Sequence, residues 1–267
     1  MSKKTKILFA GGKDIGCGCL EQLLQYSKVE VVAVLINQGS DTAPDRWYES
    51  AAEIALKNDI LVYAPKNIND SATVKLIKAL EPELIVAVYY DQILKSEVLE
   101  IPFMGCINLH FGLSEEYRGC YPTTWAIING ETKTGITIHY INEGIDAGDI
   151  ISQQHIDIMP NDTGKSLYYK CTAAGIQLFN NTFPEILKGT APRRVQVTTT
   201  KTKYYKREFP SQQIDFSKSE KEIFDHIRAI YFPPFPLPYF YIGKKKMVIV
   251  EETILKKTSK LSYPEYF

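Results

Sequence analysis

The sequence predicts an α/β fold with a Rossmann-like, doubly wound and mostly parallel sheet. Continuous apolar runs at residues 29–36 and 84–89 are typical of strands that helices cover on both faces. Helical patterns separate these runs, and this alternation is typical of parallel sheets. The chain has 267 residues, 45% of them hydrophobic, which is enough for a large core and a second unit. We expect a main domain at residues 1–190 and a smaller, β-rich domain at residues 191–267.

The first elements are a strand at residues 6–10 and a helix that begins after the loop at residues 11–16. The loop is not a Walker A motif, because Asp14 rather than Ser or Thr follows Lys13. It also lacks the GxGxxG spacing of dinucleotide-binding proteins. A helix N-terminus attracts anions, so an anion contact and a plain strand-to-helix turn both stay open for this loop.

The later elements follow from the same periodicities and capping signals. Ser71 is the expected N-cap of one helix, and Asp162 or Thr163 that of another. Trp47 and Trp125 are expected in packing positions, and His155 in a structural one. Helices are expected at residues 45–57, 71–80, 122–128, 163–187 and 219–230, and strands at 60–63, 150–158 and 247–252, the last after a turn at residues 243–246.

Residues 106–150 contain the side chains best suited to catalysis. Asn108 and His110 fall on one face of a short strand, near its carboxyl end, where open α/β sheets bind ligands. A second strand, at residues 135–141, leads to Asp146, and the flanking Gly144 and Gly148 should let the backbone bend around it. An amide, an imidazole and a carboxylate can supply an oxyanion donor, a proton carrier and an orienting group.

Composition excludes several classes of function. The net charge is zero and the pI is about 6.9, which argues against a nucleic-acid substrate, because phosphate contacts require a basic excess. The five cysteines form no CxxC pair and indicate reduced thiols in a cytoplasmic protein. No cluster has metal-ligand spacing, the first apolar run is too short for a signal peptide, and nothing is long enough to span a membrane.

Three motifs of this stretch, taken together, resemble the folate-dependent formyltransferases. They are Asn108-x-His110, Tyr117-Arg118-Gly119 with Pro122, and Gly144-Ile145-Asp146-x-Gly148. The resemblance covers residues 1–190 well and the remainder weakly. It implies a domain that transfers a formyl group from N10-formyltetrahydrofolate to an amine, without a metal.

The resemblance also implies the roles of individual residues. Asn108 would donate to the oxyanion, and His110 would act as the general base on the amine or as the charge partner of the oxyanion. Asp146 would hold the imidazole tautomer or move a proton through water. The folate side would be formed by Val88, Tyr89, Tyr90, Asn142, Gly144 and Ile145. The substrate side would include Lys13, Tyr117, Arg118, Tyr121 and Phe232.

Two of these assignments depend on local geometry that the sequence only suggests. Residues 117–119 are expected as an exposed loop, where Arg118 would contact a phosphate or carboxylate, or form a salt bridge that shapes the loop. Residues 231–241 hold four prolines and several aromatic residues, so they cannot form a buried helix. They are expected to form a polyproline-like arm or an aromatic platform.

Within the family, the favoured member is a nucleotide-sugar N-formyltransferase. The neutral charge, the short C-terminal part and the run at residues 227–234 resemble that group, with a dTDP-4-amino-4,6-dideoxyhexose for surface polysaccharide or O-antigen as the expected substrate. The alternatives are methionyl-tRNA formyltransferase, GDP-perosamine N-formyltransferase, a formyl-folate hydrolase and a non-catalytic α/β binding module. A homodimer through the aromatic and proline-rich run is also expected.

Overall fold

The computed structural model of the protein describes residues 3–39 and 46–250. The strands are β1 (Thr5–Gly11), β2 (Val29–Leu35), β3 (Leu61–Tyr63), β4 (Leu84–Val88), β5 (Cys106–His110), β6 (Tyr117–Gly119), β7 (Lys133–Tyr140), β8 (Ile150–Asp157), β9 (Lys203–Tyr205), β10 (Tyr239–Ile242) and β11 (Lys245–Val248). The helices are α1 (Lys13–Gln25), α2 (Ala51–Lys57), α3 (Ser71–Leu80), α4 (Ser96–Leu99), α5 (Pro122–Ile128), α6 (Gly164–Leu187) and α7 (Glu220–Ile230).

Seven strands form the main sheet in the order β3-β2-β1-β4-β5-β7-β8. The first five are parallel, and β7 and β8 are antiparallel to their neighbours. The strand order reverses between β1 and β4, and a crevice at the carboxyl ends of the strands forms at such a switch point. The expected fold class is therefore confirmed.

Both faces of the parallel part are buried. Ile7 and Phe9 of β1 join the core cluster under α1 and α6, whereas Leu8 and Ala10 join the second cluster under α3. Because successive side chains of a strand point to opposite faces, a continuous apolar run serves both layers. These apolar runs are what the sequence shows as strands.

Most helix boundaries agree with the sequence, but one cap and the start of one helix differ. The expected ranges 71–80 and 122–128 are confirmed, but Asp70 rather than Ser71 caps α3, its side chain accepting from the Thr73 N–H at 2.7 Å. Thr163 caps α6. The helix expected at 45–57 begins only at Ala51, and position 45 lies outside the described residues.

The chain after residue 190 pairs and packs with earlier elements. Strand β9 pairs in parallel with β6, and α7 packs against α5 and α6. The hairpin expected here joins β10 and β11, but its turn is only Gly243 and Lys244, because Lys245 and Lys246 already pair in β11. Positions 251 and 252 of the last expected strand, and the tail expected from position 256, lie outside the described residues.

None of the described helices combines the length and the hydropathy needed to cross a bilayer.

Candidate active site

Asn108, His110 and Asp146 converge beside the carboxyl end of β5. Asn108 Nδ2 donates to Asp146 Oδ1 at 3.2 Å, and His110 Nδ1 lies 3.4 Å from Asp146 Oδ2. Leu109 between them packs in the core, as a period of two requires. The parallel strands β4 and β5 end side by side, so this group lies next to the crevice.

The backbone around Asp146 bends differently from the expectation based on its glycines. Asp146 itself adopts the left-handed conformation, with φ of 47°, which Asp tolerates better than most residues. Gly148 is needed for close approach, because a Cβ there would lie 1.8 Å from the Tyr140 carbonyl oxygen. The expectation that the two glycines make the bend is wrong, since neither has a positive φ.

The Asp146 carboxylate is ionised and strongly held. Burial alone would raise the pKa of Asp146, but the rings of His110 and His139 and the Gly119 N–H lower this pKa well below its usual value. The Gly119 N–H donates to Oδ2 at 2.8 Å. The site therefore holds a fixed negative charge that stabilises a positive charge formed beside it by proton uptake.

The hydrogen bonds of His110 determine which of its nitrogens can exchange a proton. Nε2 lies 2.7 Å from the Tyr117 carbonyl oxygen. A carbonyl oxygen only accepts, so Nε2 carries hydrogen and Nδ1 faces Asp146. Nδ1 is therefore the position that can take up a second proton, and Asp146 would then form an ion pair with the imidazolium.

His139 also belongs to this group, and the sequence analysis did not single it out. It lies on β7 directly opposite Asn108, and its Nε2 is 3.2 Å from Asn108 Nδ2 and 3.4 Å from Asp146 Oδ1. Its Nδ1 lies 2.8 Å from the Tyr140 carbonyl oxygen and so carries hydrogen. The alternation of β7 placed His139 on one face, but an apolar run around a lone His usually indicates a core residue.

The segments expected on the folate side lie next to each other. Tyr89 and Tyr90 follow β4, with Tyr89 in the left-handed conformation at φ 57°. Ser96, the first residue of α4, donates from Oγ to Glu143 Oε1 at 2.6 Å. This bond connects the chain after Tyr90 to the loop before Asp146. In that loop Asn142 and Gly144 are exposed, and the Ile145 side chain is 49% exposed. Val88 contributes a buried side chain, and its carbonyl accepts from the Gly12 N–H.

Lys13 and the aromatic residues flank the other side of the crevice. Lys13 Nζ lies 3.4 Å from the centroid of the Tyr48 ring and 5.3 Å from that of Trp47. Trp47 packs edge-on against Phe232 and Phe235. Part of the proline-rich run therefore joins an aromatic cluster around Trp47.

Tyr117 and Arg118 are not where the sequence analysis placed them. The expected exposed loop is wrong, because residues 117–119 form β6, and Tyr117 and Arg118 are buried. Tyr117 stacks on Tyr205 at 5.8 Å between centroids. Arg118 donates to the protein on three sides, so we leave both residues out of the proposed substrate contacts.

Tyr121 and Trp125 border the same region. Tyr121 is half-buried at the start of α5, with its ring 5.0 Å from that of Phe209. Trp125, expected to be buried, is only partly so and stacks on Tyr205 at 4.5 Å. Tyr121 thus remains available at the mouth of the site.

Two further features lie apart from these residues. Within residues 3–39 and 46–250, no group of three or more His, Cys, Asp or Glu is arranged to hold a metal ion. A surface cavity of about 690 Å³ opens at the amino ends of β1 and β4, and its Lys6 and Lys3 pair with Glu81 and Glu83. Two of its lysines are therefore paired within the protein.

Comparison with known proteins gives the family that the sequence motifs resemble. Residues 4–182 match the family described as formyl transferase. Methionyl-tRNA formyltransferase of Clostridioides difficile (strain 630) is 35% identical over 262 residues, which cover 95% of this chain and 82% of the relative. The bifunctional polymyxin resistance protein ArnA of Wigglesworthia glossinidia brevipalpis is 35% identical over 94% of this chain, which spans 37% of the length of ArnA.

A solved structure is similar over nearly the whole chain. It is the N-formyltransferase from Helicobacter canadensis, in complex with folinic acid and dTDP-3-aminofucose. Its TM-score is 0.75 at 28% identity, over 91% of this chain and 86% of that one. With two thirds of its length in the family match and the fold of a family member, this chain belongs to the formyl transferase family.

Proposed function

We propose that the protein transfers a formyl group from N10-formyltetrahydrofolate to the amino group of a dTDP-linked amino-dideoxyhexose. The observation that carries this proposal is the convergence of Asn108, His110 and Asp146 on one point beside the crevice. The Helicobacter canadensis enzyme, similar throughout its fold, holds folinic acid and dTDP-3-aminofucose. That ligand favours an amine at C3 over the C4 amine expected from the sequence.

The residues present suit a reduced folate. A flat heteroaromatic ring with several donors and acceptors is read well by exposed main-chain groups. The partly buried Tyr89 and Tyr90 after β4 and the exposed loop with Gly144 and Ile145 are proposed to provide such groups. When bound, N10-formyltetrahydrofolate supplies the formyl carbon and accepts a proton at N10 as the bond from N10 to that carbon breaks.

The three central side chains divide the remaining work. Asn108 Nδ2 has two hydrogens, and the one directed at Asp146 Oδ1 is proposed to turn to the carbonyl oxygen under attack when the substrates are bound. One such donor contributes about 3 kcal/mol in other enzymes. His110 takes up the amine proton at Nδ1, the nitrogen that faces Asp146. Asp146 stays ionised and stabilises the resulting imidazolium. The imidazolium then gives the proton through water to N10 as the bond from N10 to the formyl carbon breaks.

The sugar-nucleotide side would be held by residues across the crevice. Lys13 is proposed to contact the diphosphate, and Tyr121 and Phe232 the sugar and base. An ammonium group on an aromatic ring is held in a fixed direction, which favours a defined phosphate contact. The protein is further proposed to act in the cytoplasm as a homodimer in surface-polysaccharide or O-antigen synthesis, in line with its five free cysteines.

A panel of acceptors tests the proposal. The protein is incubated with N10-formyltetrahydrofolate and dTDP-3-amino-, dTDP-4-amino- or GDP-4-amino-dideoxyhexoses, and products are identified by mass. We expect a gain of 28 Da on a dTDP-3-amino sugar and far less product with Asp146→Asn at the same enzyme concentration. Formylation of none of the sugars would reject the proposal. A sizing column gives the oligomeric state.

The second candidate is formylation of methionyl-tRNA. The Clostridioides difficile relative, 35% identical over 82% of its length, favours it, whereas the zero net charge does not. Charged initiator tRNA is therefore added to the same panel. Formyl-methionine without any formylated sugar would assign this second function instead.

A further inference from the structure

Gln196 is an inward-facing residue in an otherwise exposed segment. Its neighbours Val195 and Val197 are 70% and 62% exposed, whereas Gln196 is partly buried. Packing alone would favour the opposite arrangement, with the valines inside and the amide in water. The inward amide therefore has a role other than filling the core.

The amide of Gln196 contacts the backbone that presents Asp146. Its Nε2 donates to the Asp146 carbonyl at 3.1 Å and to the Gly148 carbonyl at 2.6 Å. These carbonyls belong to Asp146 itself and to the residue two positions later, within the turn where Asp146 takes its left-handed conformation. That conformation is unfavourable for a residue with a side chain and persists only where the surroundings enforce it.

Arg118 fixes Gln196 in turn. The Gln196 side-chain oxygen accepts from Arg118 Nη2 at 2.9 Å. Arg118 is only 2% exposed, and it also donates to the Ser114 carbonyl at 2.6 Å and to the Tyr204 hydroxyl at 2.7 Å. A planar guanidinium engaged in three directions has little freedom to turn.

Asp146 is also held by Gly119, the residue that follows Arg118 in β6. Gly119 donates its N–H to Asp146 Oδ2 at 2.8 Å. Asp146 is thus held at its carboxylate by Gly119 and at its backbone by Gln196. Gln196 is held by the side chain of Arg118, which the sequence analysis placed among the substrate contacts, and Gly119 follows Arg118 in β6.

We infer that Gln196, anchored by Arg118, is a positioning residue that keeps the Asp146 carboxylate directed at His110 and Asn108. The inference rests on the proposed function, because it assigns to Asp146 a part in formyl transfer. Gln196 touches neither substrate nor reacting atoms and acts through Asp146.

Kinetics of three variants provide the first test. Gln196→Met keeps length and neutrality but cannot donate, and Gln196→Glu keeps an acceptor for Arg118 but loses both donors. We expect each to lower kcat about 10- to 100-fold, with KM within about threefold, because displacement by 1 Å can cost about 100-fold. Val195→Ala, an exposed neighbour, serves as the control and should retain kcat. Wild-type kcat in Gln196→Met would overturn the inference, as would full activity in Gln196→Glu.

A double-mutant cycle separates positioning from general damage. In the Asp146→Asn background, Gln196→Met should change kcat less than twofold, because its effect passes through the carboxylate. An equal loss in both backgrounds would overturn the inference.

A readout without substrate keeps this test independent of the proposed function. The carboxyl 13C signal of Asp146 is followed by NMR against pH in wild type, Gln196→Met and Val195→Ala. Release from His110 should raise the Asp146 titration midpoint by at least about one pH unit in Gln196→Met alone. An unchanged midpoint would overturn the inference even in an active enzyme. A shifted midpoint in an enzyme inactive on every acceptor would support it while rejecting the proposed function.

Discussion

Asn108 and His139 lie directly opposite each other in the antiparallel register of β5 and β7, with Asn108 Nδ2 3.2 Å from His139 Nε2. Because His139 Nδ1 donates to the Tyr140 carbonyl, neutral His139 can only accept at Nε2. This acceptor fixes the orientation of the Asn108 amide, with Nδ2 rather than Oδ1 directed toward His139 and Asp146. The orientation of the oxyanion donor therefore depends on a residue of the neighbouring strand.

Replacing His139 should weaken catalysis through Asn108. We expect His139→Ala to lower kcat about tenfold, less than Asn108→Ala, and to add little to the loss in Asn108→Ala, since residues that act as a unit are not additive. Steady-state kinetics of the single and double variants check this. Additive losses would show that His139 acts on its own.

His110 should be required for proton transfer. Because general acid–base groups contribute at least about 100-fold, we expect His110→Ala to lower kcat by that factor or more. His155→Ala is the matched control, because His155 is exposed on β8 and should leave kcat unchanged. A kcat of His110→Ala within twofold of wild type would refute the role assigned to His110.

Stability should depend on pH through Asp146. Its lowered pKa contributes stability that is complete above the unfolded pKa of about 4 and is lost as pH falls through the lower folded value. We expect the free energy of unfolding to fall more steeply below pH 4 in wild type than in Asp146→Asn, by up to about 1.4 kcal/mol per pH unit. Urea unfolding at pH 6, 4 and 3 measures the difference. Parallel curves would contradict the ionised, paired carboxylate.

Lys13 should affect one substrate and not the other. If it contacts the diphosphate, Lys13→Ala should raise KM for the nucleotide sugar about tenfold or more, the range of a charged hydrogen bond. KM for the folate and kcat should change little. Lys57→Ala is the control, because Lys57 is an exposed residue of α2. An equal rise in both KM values would point to general disturbance of the crevice.

The site residues whose placement follows from the alternation of side chains along a strand could be predicted from the sequence. Alternation placed Asn108 and His110 on one face, and the parallel fold placed that face beside the crevice. Local patterns could not place Arg118, because its burial depends on the pairing of β6 with β9, whose Tyr204 lies 86 residues away. Gln196 lies in a polar, irregular segment, and nothing local distinguishes an inward amide there from an exposed one. His139 had a local signal, but its meaning appears only in the register with β5.

The pairing of β6 with β9 has a consequence for how relatives of this chain can exchange parts. Gly119 lies so close to the Tyr205 carbonyl that a Cβ would approach its oxygen to 2.1 Å, so the two strands tolerate little rearrangement. A graft that replaces everything after residue 190 would replace Gln196 and β9 together with any specificity elements there. Hybrids of two family members should therefore be active only when the donor segment restores the pairing of β6 with β9 and the contacts of Gln196. The domain boundary expected at residue 190 is for this reason a poor place for recombination.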